Sequence, residues 1–401
     1  MKTRTTFIIS LTAILTLAAG SAFGKYSGGT GEPNTPYQIA TKADLLVLAA
    51  DANDYGKCFI LTADINMEGQ VFTTAIIAAG YDFKGTFDGN GHKVTHFTIN
   101  GGSNSFLGLF SSINDKGSVK NLGLENCVVS GYWAVGGLVG WNYGNISHCY
   151  STGSVSGSYE DVGGLVGWND AGISNCYSTG MVSGSSGSTY IGGLVGENYR
   201  DGSISQCYST GSVNGSSDSW NVGGLVGRNY GGSINQCYAT GTVGGNGGVG
   251  GLVGENEDLV ILNNCYSTGA VSGSSNSRFV GGLVGYNDYR GSISNCYSTG
   301  TVSGSSYVGG LFGYGGGSVI SSFWDTNTSG QPTSDGGTGI TTAEMKRIST
   351  FANWGFIESW GIIENQTYPY LMTDPTGDLN HDKKVDFADF AILAENWLSG
   401  D

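Results

Sequence analysis

The sequence predicts an all-β protein of the parallel β-solenoid class. Two features indicate this fold: glycine supplies 71 of the 401 residues, and a glycine-rich unit recurs along most of the chain. Collagen is excluded because glycine does not fall at every third position and the chain has only 5 prolines. A helical array is disfavoured because only 12% of the residues are charged, too few to cover solvent-facing helices.

The repeating unit begins with Gly-Gly-Leu-Val-Gly, and successive copies lie 27 to 31 residues apart. Such a unit cannot bury its own apolar side, so it is stable only when stacked on similar units. Stacking at a strand spacing of about 4.8 Å places each residue above its counterpart, with right-handed crossovers as the default. Glycine is expected where φ is positive or where a Cβ would not fit. The copies start at Gly136, Gly163, Gly192, Gly223, Gly250, Gly281 and, with phenylalanine replacing valine, Gly309.

Two rows of side chains are expected to stack within this array. For the asparagines, we expect left-handed bends and amides that hydrogen-bond along the row. In-register Cβ atoms lie about 4.8 Å apart, whereas a disulfide prefers about 3.8 Å, so we expect buried, reduced cysteines. The asparagines are Asn142, Asn169, Asn198, Asn229, Asn256 and Asn287, and the cysteines are Cys149, Cys176, Cys207, Cys237, Cys265 and Cys296.

A tyrosine follows every cysteine of the array, and alternation along a strand directs it to the opposite face. If the cysteines point inward, the tyrosines form an outward strip. Two interpretations stay open: a surface that stacks on sugar rings or binds a partner protein, and a structural stack packed under loops. The strip consists of Tyr150, Tyr177, Tyr208, Tyr238, Tyr266 and Tyr297.

These residues resemble the GLUG repeat, which is named for its Gly-Leu-x-Gly core. The segment from Phe87 to His92 looks like the opening coil of pectin-lyase-like β-helices, and the segments near Trp324 and Pro369 look like the tail that follows GLUG arrays. The resemblance implies a secreted or surface β-helix. The resemblance does not imply any particular enzymatic reaction.

No catalytic residue can be assigned from the sequence. Glu197 and Glu255 share one position of the repeat, but Trp141, Trp168, Arg228 and Tyr286 occupy it in other units, so we interpret these charges as scattered solubilising residues. Paired carboxylates for glycoside hydrolysis can be neither placed nor excluded. His92 and His96 have i,i+4 spacing, but they lie in a predicted strand, where that spacing does not converge on zinc.

The ends of the chain differ from the array. We expect a signal peptide over 1–24, an N-terminal cap with first coils over 25–105, the GLUG β-helix over 106–325 and a C-terminal tail over 326–374. Thr41 with Asp44 predicts a capped helix through Ala50, and the capping-box pattern beginning at Thr341 predicts a second. The tail, with its tryptophans, is expected to close the far edge of the solenoid.

Residues 375–401 carry the most concentrated ligand chemistry of the sequence. Oxygen-bearing side chains fall at loop positions 1, 3, 5, 9 and 12, with a backbone carbonyl at position 7, as calcium requires. An amphipathic helix follows. The segment resembles one half of a type I dockerin, although Lys383 replaces the usual glycine and a second copy is missing. The expected Ca²⁺ ligands are Asp378, Asn380, Asp382, Lys384, Asp386 and Asp389.

The net charge and the expected export signal limit the possible functions. A net charge of −15 argues against binding nucleic acid, and no apolar stretch after the signal peptide reaches transmembrane length. We expect an extracellular or cell-surface protein. The leading hypothesis is a non-catalytic adhesion protein that binds a glycan or a surface protein along the solenoid and attaches through its calcium module to a cohesin-like or envelope partner. The alternatives are a polysaccharide-acting enzyme and a structural spacer.

Overall fold

The computed structural model describes residues 24–356 and 359–372, which wind into a parallel β-solenoid of about ten turns. Each full coil contributes strands to four sheets, and every strand pair in these sheets is parallel. The all-β parallel fold predicted from the repeat is therefore confirmed. The expected signal peptide, residues 1–24, lies outside the described residues except for Gly24, and the expected calcium module, residues 375–401, lies wholly outside them.

Two of the sheets have eleven strands each. The isoleucine sheet comprises Tyr37–Ile39, Cys58–Leu61, Thr86–Asp88, Ser118–Lys120, Asn145–Ser147, Gly172–Ser174, Ser203–Ser205, Ser233–Asn235, Ile261–Asn263, Ser292–Ser294 and Ser318–Ile320. The tyrosine sheet comprises Ile65–Asn66, Lys93–Thr95, Gly123–Glu125, Tyr150–Ser151, Tyr177–Ser178, Tyr208–Ser209, Tyr238–Ala239, Tyr266–Ser267, Tyr297–Ser298, Phe323–Asp325 and Thr338–Ile340.

The other two sheets complete the cross-section of the coils. The valine sheet comprises Val71–Phe72, Thr98–Asn100, Val128–Gly131, Val135–Gly136, Ser154–Gly157, Glu160–Gly163, Val182–Gly184, Thr189–Gly192, Val213–Asn214, Trp220–Gly223, Val243–Gly250, Val271–Gly281, Val302–Ser303 and Ser306–Gly309. The amide sheet has eight strands, Phe110–Ile113, Val139–Asn142, Val166–Asn169, Val195–Tyr199, Val226–Tyr230, Val253–Glu257, Val284–Asn287 and Phe312–Gly315.

Identical apolar side chains stack along the interior, because the register pairs equivalent positions of successive units. Val139 pairs with Val166, and Ile146 pairs with Ile173. The leucines and valines of the glycine-rich segments are almost completely buried. At roughly 25 cal/mol per Å² of apolar surface, this continuous core is the main stabilising contribution.

The glycines of the repeat are required by close packing between coils. A Cβ at Gly163 would lie 2.0 Å from the carbonyl oxygen of Val166, and one at Gly180 would lie 1.6 Å from that of Gly153. None of the glycines that open the seven copies has positive φ. The left-handed bends are occupied instead by the residue before each array cysteine, such as His148, with φ 52°, and Asn175, with φ 53°. Of the two expected reasons for glycine, the lack of room for a Cβ therefore dominates in the array.

The asparagine row forms the expected amide ladder inside the solenoid. Each Nδ2 from Asn142 to Asn256 donates to the Oδ1 of the next asparagine, over distances of 2.7 to 2.9 Å. All six side chains are fully buried. The expectation that these asparagines occupy left-handed bends is wrong, because none of them has positive φ. They lie within strands, where their role is to satisfy each other's hydrogen bonds.

The six array cysteines are free thiols buried in a second row, as expected. Each sulfur lies near a backbone carbonyl oxygen: for example, Cys149 Sγ donates to Ser147 O at 3.2 Å, and Cys207 Sγ donates to Ser205 O at 3.1 Å. Burial raises the pKa of the Cys149 and Cys176 thiols well above its usual value. These thiols therefore act as small apolar side chains.

The N-terminal helix covers the first coil as expected. It spans Lys42–Ala50, and Thr41 and Asp44 form the predicted capping box. Leu45 and Leu48 pack into the core. A 3₁₀ turn follows at Ala52–Asp54.

The C-terminal tail is arranged differently from the expectation. The segment around Ser334 covers the last coil: its Oγ accepts hydrogen bonds from Leu311 N and Phe312 N, and Thr338–Ile340 extends the tyrosine sheet. Trp354 and Trp360 do not close that edge. They pack on the tyrosine row, because the tail folds back along the side of the solenoid. The remaining tail elements are Thr326–Ser329, Thr342–Met345 with the predicted capping box, the 3₁₀ turn Ile348–Phe351, and the antiparallel pair Trp360–Gly361 and Tyr370–Leu371.

We expect Asn198→Ala to destabilise the solenoid by about 2–4 kcal/mol, because it leaves the buried Oδ1 of Asn229 and carbonyl of Gly202 without a donor. Thermal unfolding followed by circular dichroism measures the effect. Asn145→Ala, at an exposed strand position, serves as the control and should change the melting temperature little. Equal melting temperatures for the two variants would contradict a structural role for the ladder.

Candidate functional site

The outer surface of the amide sheet departs from the regularity of the interior. Its central row alternates with the buried asparagines and contains four residue types over seven coils. In register, the row consists of Trp141, Trp168, Glu197, Arg228, Glu255, Tyr286 and Tyr314. Two flanking rows run beside it, one containing Tyr143, Tyr199, Tyr230 and Glu257, and the other containing Phe106, Asp161, Tyr190, Asn221, Phe279 and Tyr307. We call these three rows together the aromatic face.

Half-buried aromatic rings form a continuous layer at the N-terminal end of this face. The ring centroids of Trp141 and Trp168 lie 4.4 Å apart with a tilt of 48°, and Tyr143 lies 5.1 Å from Trp141. The layer continues from Trp168 to Tyr199 at 5.4 Å and on to Tyr230 at 5.3 Å. Phe106 stacks on Trp141 at 5.2 Å with an angle of 11° between the planes, so it covers one face of this indole, whereas the Trp141 and Trp168 rings tilt against each other.

A pocket of about 470 Å³ lies at the N-terminal end of the aromatic face. The rings of Tyr81, Phe106, Trp141 and Tyr143 line it, together with Asp82 and Lys84. The combination of ring faces with one carboxylate and one amine is typical of a small polar ligand site.

Charged side chains occupy the middle of the face and contact one another. Arg228 pairs with Glu197 at 3.1 Å, with Glu255 at 3.5 Å and with Glu257 at 2.5 Å. Its guanidinium also lies over the rings of Tyr190 and Tyr230, at 5.1 and 4.7 Å from their centroids. The Arg228 side chain is only 19% exposed, so the pairs are partly shielded from water. We call Glu160, Asp161, Glu197, Arg228, Glu255 and Glu257 the acid cluster.

Asp161 is the most deeply buried member of the acid cluster, with 3% of its surface exposed. Its Oδ2 accepts a hydrogen bond of 2.6 Å from Trp133 Nε1. Its Oδ1 is buried and has no partner among the described residues. The residue has a φ of 57°, the left-handed conformation shared by this flanking row, so the corner of the coil fixes its direction.

Burial shifts the acid cluster toward its protonated form. Loss of solvation raises the pKa of Glu197 to about 7, and the neighbouring Arg228 opposes the shift. The same balance raises the pKa of Glu255 to about 7. For Asp161, burial and then the negative charge of Glu197 raise the pKa well above its usual range. The interpretation of Glu197 and Glu255 as scattered solubilising charges is therefore wrong, because both are largely shielded from water, pair with Arg228 and have raised pKa values.

This arrangement suits recognition of an extended polar molecule. Ring faces can stack on the apolar faces of sugars, while carboxyl groups near their pKa can both donate and accept hydrogen bonds. Residues 24–356 and 359–372 contain no group of three or more histidine, cysteine, aspartate or glutamate side chains that could hold a metal ion. Carboxyl groups with raised pKa values are also what general acid catalysis uses.

The predicted tyrosine strip faces outward but is arranged as a stack. Neighbouring ring centroids from Tyr150 to Tyr297 lie 4.8 to 5.0 Å apart, with planes within 7° of parallel. Each ring face is therefore covered by the next ring, and mainly the ring edges remain for a ligand. This geometry favours the structural interpretation of the strip over sugar stacking.

The tail covers the C-terminal part of the tyrosine strip. Tyr297 is fully buried, and its hydroxyl donates to the carbonyl oxygen of Pro369 at 2.6 Å. Trp360 Nε1 donates to Asn264 Oδ1 at 3.1 Å, and Gln236 Nε2 donates to Ser359 Oγ at 2.9 Å. The rings of Tyr150, Tyr177 and Tyr208 remain half-buried.

The structure does not describe the expected calcium ligands, because Asp378, Asn380, Asp382, Lys384, Asp386 and Asp389 lie in residues 373–401. The acid cluster was missed for a different reason. The shared position of Glu197 and Glu255 was visible in the sequence, but Asp161 and Glu257 lie at other positions of the repeat. The positive-φ residues two positions before each Gly-Gly-Leu-Val-Gly segment form a second row. An alignment of this row with the central row would have predicted that Asp161 lies close to Glu197.

Comparison with known protein families supports the repeat. The family model described as the GLUG motif matches residues 131–156, 158–183, 187–214, 218–244 and 280–303. The chain thus carries GLUG repeats on a parallel β-solenoid. Among the described residues, no helix has the length and apolar character needed to cross a membrane.

Two relatives and one solved structure are similar to parts or most of the chain. Halomucin from Haloquadratum walsbyi is 31% identical over 150 residues, which are 35% of this chain and 2% of the relative. A candidate Gly-rich membrane protein from Evansella cellulosilytica is 34% identical over 140 residues, which are 31% of this chain and 15% of the relative. The chain therefore spans a small part of each relative. A candidate immunoglobulin A1 protease from Bacteroides ovatus matches 87% of this chain and 96% of its own, at 23% identity and a TM-score of 0.49.

The raised pKa values predict that stability falls as pH rises from 5 to 8. The folded chain keeps protons on Glu197 and Glu255 that the unfolded chain releases above its ordinary pKa of 4.5, so unfolding becomes easier up to about pH 7. We expect a loss of about 1–3 kcal/mol in the free energy of unfolding over this range. Glu197→Gln should reduce the loss, as measured by thermal unfolding at several pH values.

Glu125→Gln is the matched control for this pH dependence. The Lys93 ammonium and the Tyr150 hydroxyl lower the pKa of Glu125, so its contribution changes only below its ordinary pKa of 4.5. The variant should therefore keep the wild-type slope between pH 5 and 8. A melting temperature that is constant or rises over this range in the wild-type protein would show that the acid cluster is already ionised.

Proposed function

We propose that this protein is a secreted or cell-surface adhesion protein that binds a polysaccharide along the aromatic face, without cleaving it. The observation that carries the proposal is the layer of half-buried rings around Trp141, Tyr143 and Trp168, next to the acid cluster. Stacking of ring faces on sugars, together with a few hydrogen-bonding groups, is a recurring way of binding extended carbohydrates.

The shape of the solenoid supports an extended ligand. Eight strands at about 4.8 Å spacing make the amide sheet roughly 35 Å long, and the aromatic face follows this length. Its residues change from coil to coil while the interior repeats. A polymer lying along the axis would therefore meet a different set of contacts at each step, from the pocket at Tyr143 to Tyr314 at the other end.

The location is proposed from the sequence and from the relatives. The expected signal peptide over 1–24 indicates export. The names of the relatives, halomucin and a Gly-rich membrane protein, are consistent with a surface role. In this proposal the dockerin-like segment 375–401 binds Ca²⁺ and attaches the protein to a cohesin-like or envelope partner.

A polysaccharide-acting enzyme is the second candidate function. The raised pKa values of Asp161 and Glu197 favour it, since one carboxyl group could act as a general acid beside a bound sugar. Arg228 lies against Glu197, however, and holds it in an ion pair. A dedicated ion pair is more typical of ligand positioning than of proton transfer to a leaving group.

Removal of ring faces should weaken polysaccharide binding. We expect Trp141→Ala and Trp168→Ala each to lower affinity for a bound polysaccharide by about tenfold, which corresponds to about 1.4 kcal/mol. A panel of plant, algal and bacterial polysaccharides in affinity electrophoresis, followed by calorimetry on the best ligand, provides the measurement. Tyr177→Ala, from the tyrosine strip, is the matched control and should bind like the wild-type protein.

The same experiment separates the alternative functions. A loss of binding in Tyr177→Ala with normal binding in Trp141→Ala would assign the ligand to the tyrosine strip. Release of reducing ends by the wild-type protein, absent in Glu197→Gln, would establish the enzyme. A wild-type protein that binds no polysaccharide on the panel would leave the structural spacer as the better description.

Calcium binding to the full chain tests the proposed attachment module. We expect one Ca²⁺ per chain in calorimetry, and we expect Asp378→Ala to abolish the heat because it removes the first loop ligand. Asp218→Asn, which changes a carboxylate in an exposed solenoid loop, should leave binding unchanged. No heat at millimolar calcium, or wild-type binding in Asp378→Ala, would refute the site.

A further inference from the structure

The acid cluster has more carboxyl groups than its own cation can pair with. Arg228 is the single cation within it, and its three carboxylate partners are Glu197, Glu255 and Glu257. Glu160 and Asp161 lie beside this group and bring two further carboxyl groups to it. A second cation near Asp161 would therefore stabilise the ionised form of these carboxyl groups.

Asp161 supplies the independent observation that points to a ligand. Its Oδ1 is a buried acceptor without a hydrogen-bond partner, although Trp133 satisfies the other oxygen. The groups that act on its carboxyl are Glu197 and Glu160, which repel its charge, and Arg228, which stabilises it. The unpartnered oxygen thus belongs to the same cluster as the surplus carboxyl groups.

The surrounding rings define the kind of cation that fits. Tyr190 and Tyr230 already hold the guanidinium of Arg228 against their faces, and Trp168 lies in the coil before Glu197. Aromatic faces next to carboxylates stabilise an ammonium group, which also donates up to three hydrogen bonds. A metal ion is disfavoured, because the described residues hold no converging set of three or more ligands.

We propose that the acid cluster is a subsite for the protonated amino group of an amino sugar within the bound polysaccharide. The inference rests on the proposed function and specifies its ligand. The ammonium donates to Asp161 Oδ1 and lies against Glu197, while the sugar ring to which it is attached stacks on the aromatic face next to Trp168. The positive charge of the amine favours the ionised carboxylates, which burial alone disfavours.

The test compares three oligosaccharides of equal length and linkage, made of glucosamine, N-acetylglucosamine or glucose, on the full chain by calorimetry at pH 6. We expect the glucosamine oligomer to bind at least tenfold more tightly than the other two. Equal affinities would overturn the subsite but leave the proposed function standing. If none of the three binds while another polysaccharide does, the subsite fails alone, and if no polysaccharide binds, both proposals fail.

Variants of the acid cluster test whether it causes the preference for the glucosamine oligomer. Asp161→Asn should lower the ratio of glucosamine to glucose affinity toward one, because it removes the charge next to the unpartnered oxygen. Glu257→Gln, at a more exposed position, should lower the ratio partly and provides a second reading if Asp161→Asn does not fold. Glu125→Gln, on the tyrosine sheet, is the matched control and should keep the wild-type ratio. A preserved preference in both cluster variants would overturn the inference.

A lysine-rich protein is the competing source of an ammonium group. An oligolysine peptide of comparable charge therefore forms a fourth arm of the titration. We expect it to bind more weakly than the glucosamine oligomer, because its side chains lack a ring to stack on the aromatic face. Tighter binding of the peptide, abolished by Asp161→Asn, would reassign the subsite to a protein partner.

Discussion

The in-register stacking of one coil on the next is the constraint on which the rest of the structure depends. Because each inward residue meets its own counterpart at the strand spacing, an inward position must hold a side chain that packs well against itself. Leucine, valine and isoleucine meet this condition by apolar contact, and asparagine meets it by donating and accepting along one row. The glycines meet it by leaving the space that the neighbouring backbone occupies.

The same constraint separates structural positions from functional ones. Inward positions are nearly identical in every coil, whereas the outward central row of the amide sheet changes from Trp168 to Glu197, Arg228 and Glu255 in successive coils. The outward positions of this row can vary because no counterpart must fit above them inside the core, whereas the outward tyrosine row stays uniform because its rings stack on one another. Residues that bind a ligand are therefore expected at the positions where successive repeats differ, and the aromatic face contains such positions.

The sequence predicted the parts of the structure that depend on local pattern. The repeat period predicted the solenoid, and the capping-box pattern at Thr41 predicted the first helix. The regular spacing of the cysteines predicted buried free thiols. The return of the tail along the tyrosine row was missed because it depends on contacts such as Trp360 with Asn264, which are 96 residues apart and have no periodic signal. The acid cluster was missed because it joins positions from different sheets, whose proximity depends on the corner geometry of each coil.

The contrast between the two aromatic surfaces explains why only one of them is assigned a ligand. In the tyrosine strip the rings stack in parallel, so each ring face stabilises the next and the surface is complete without a partner. On the aromatic face, tilted rings adjoin buried carboxyl groups whose ionisation is disfavoured by burial and by one another. Burying such groups costs stability, and coils elsewhere in the same row place tyrosine or tryptophan there without that cost. An arrangement that is unfavourable for the isolated chain and still lacks a partner for Asp161 Oδ1 is better explained by a ligand that completes it than by the needs of folding.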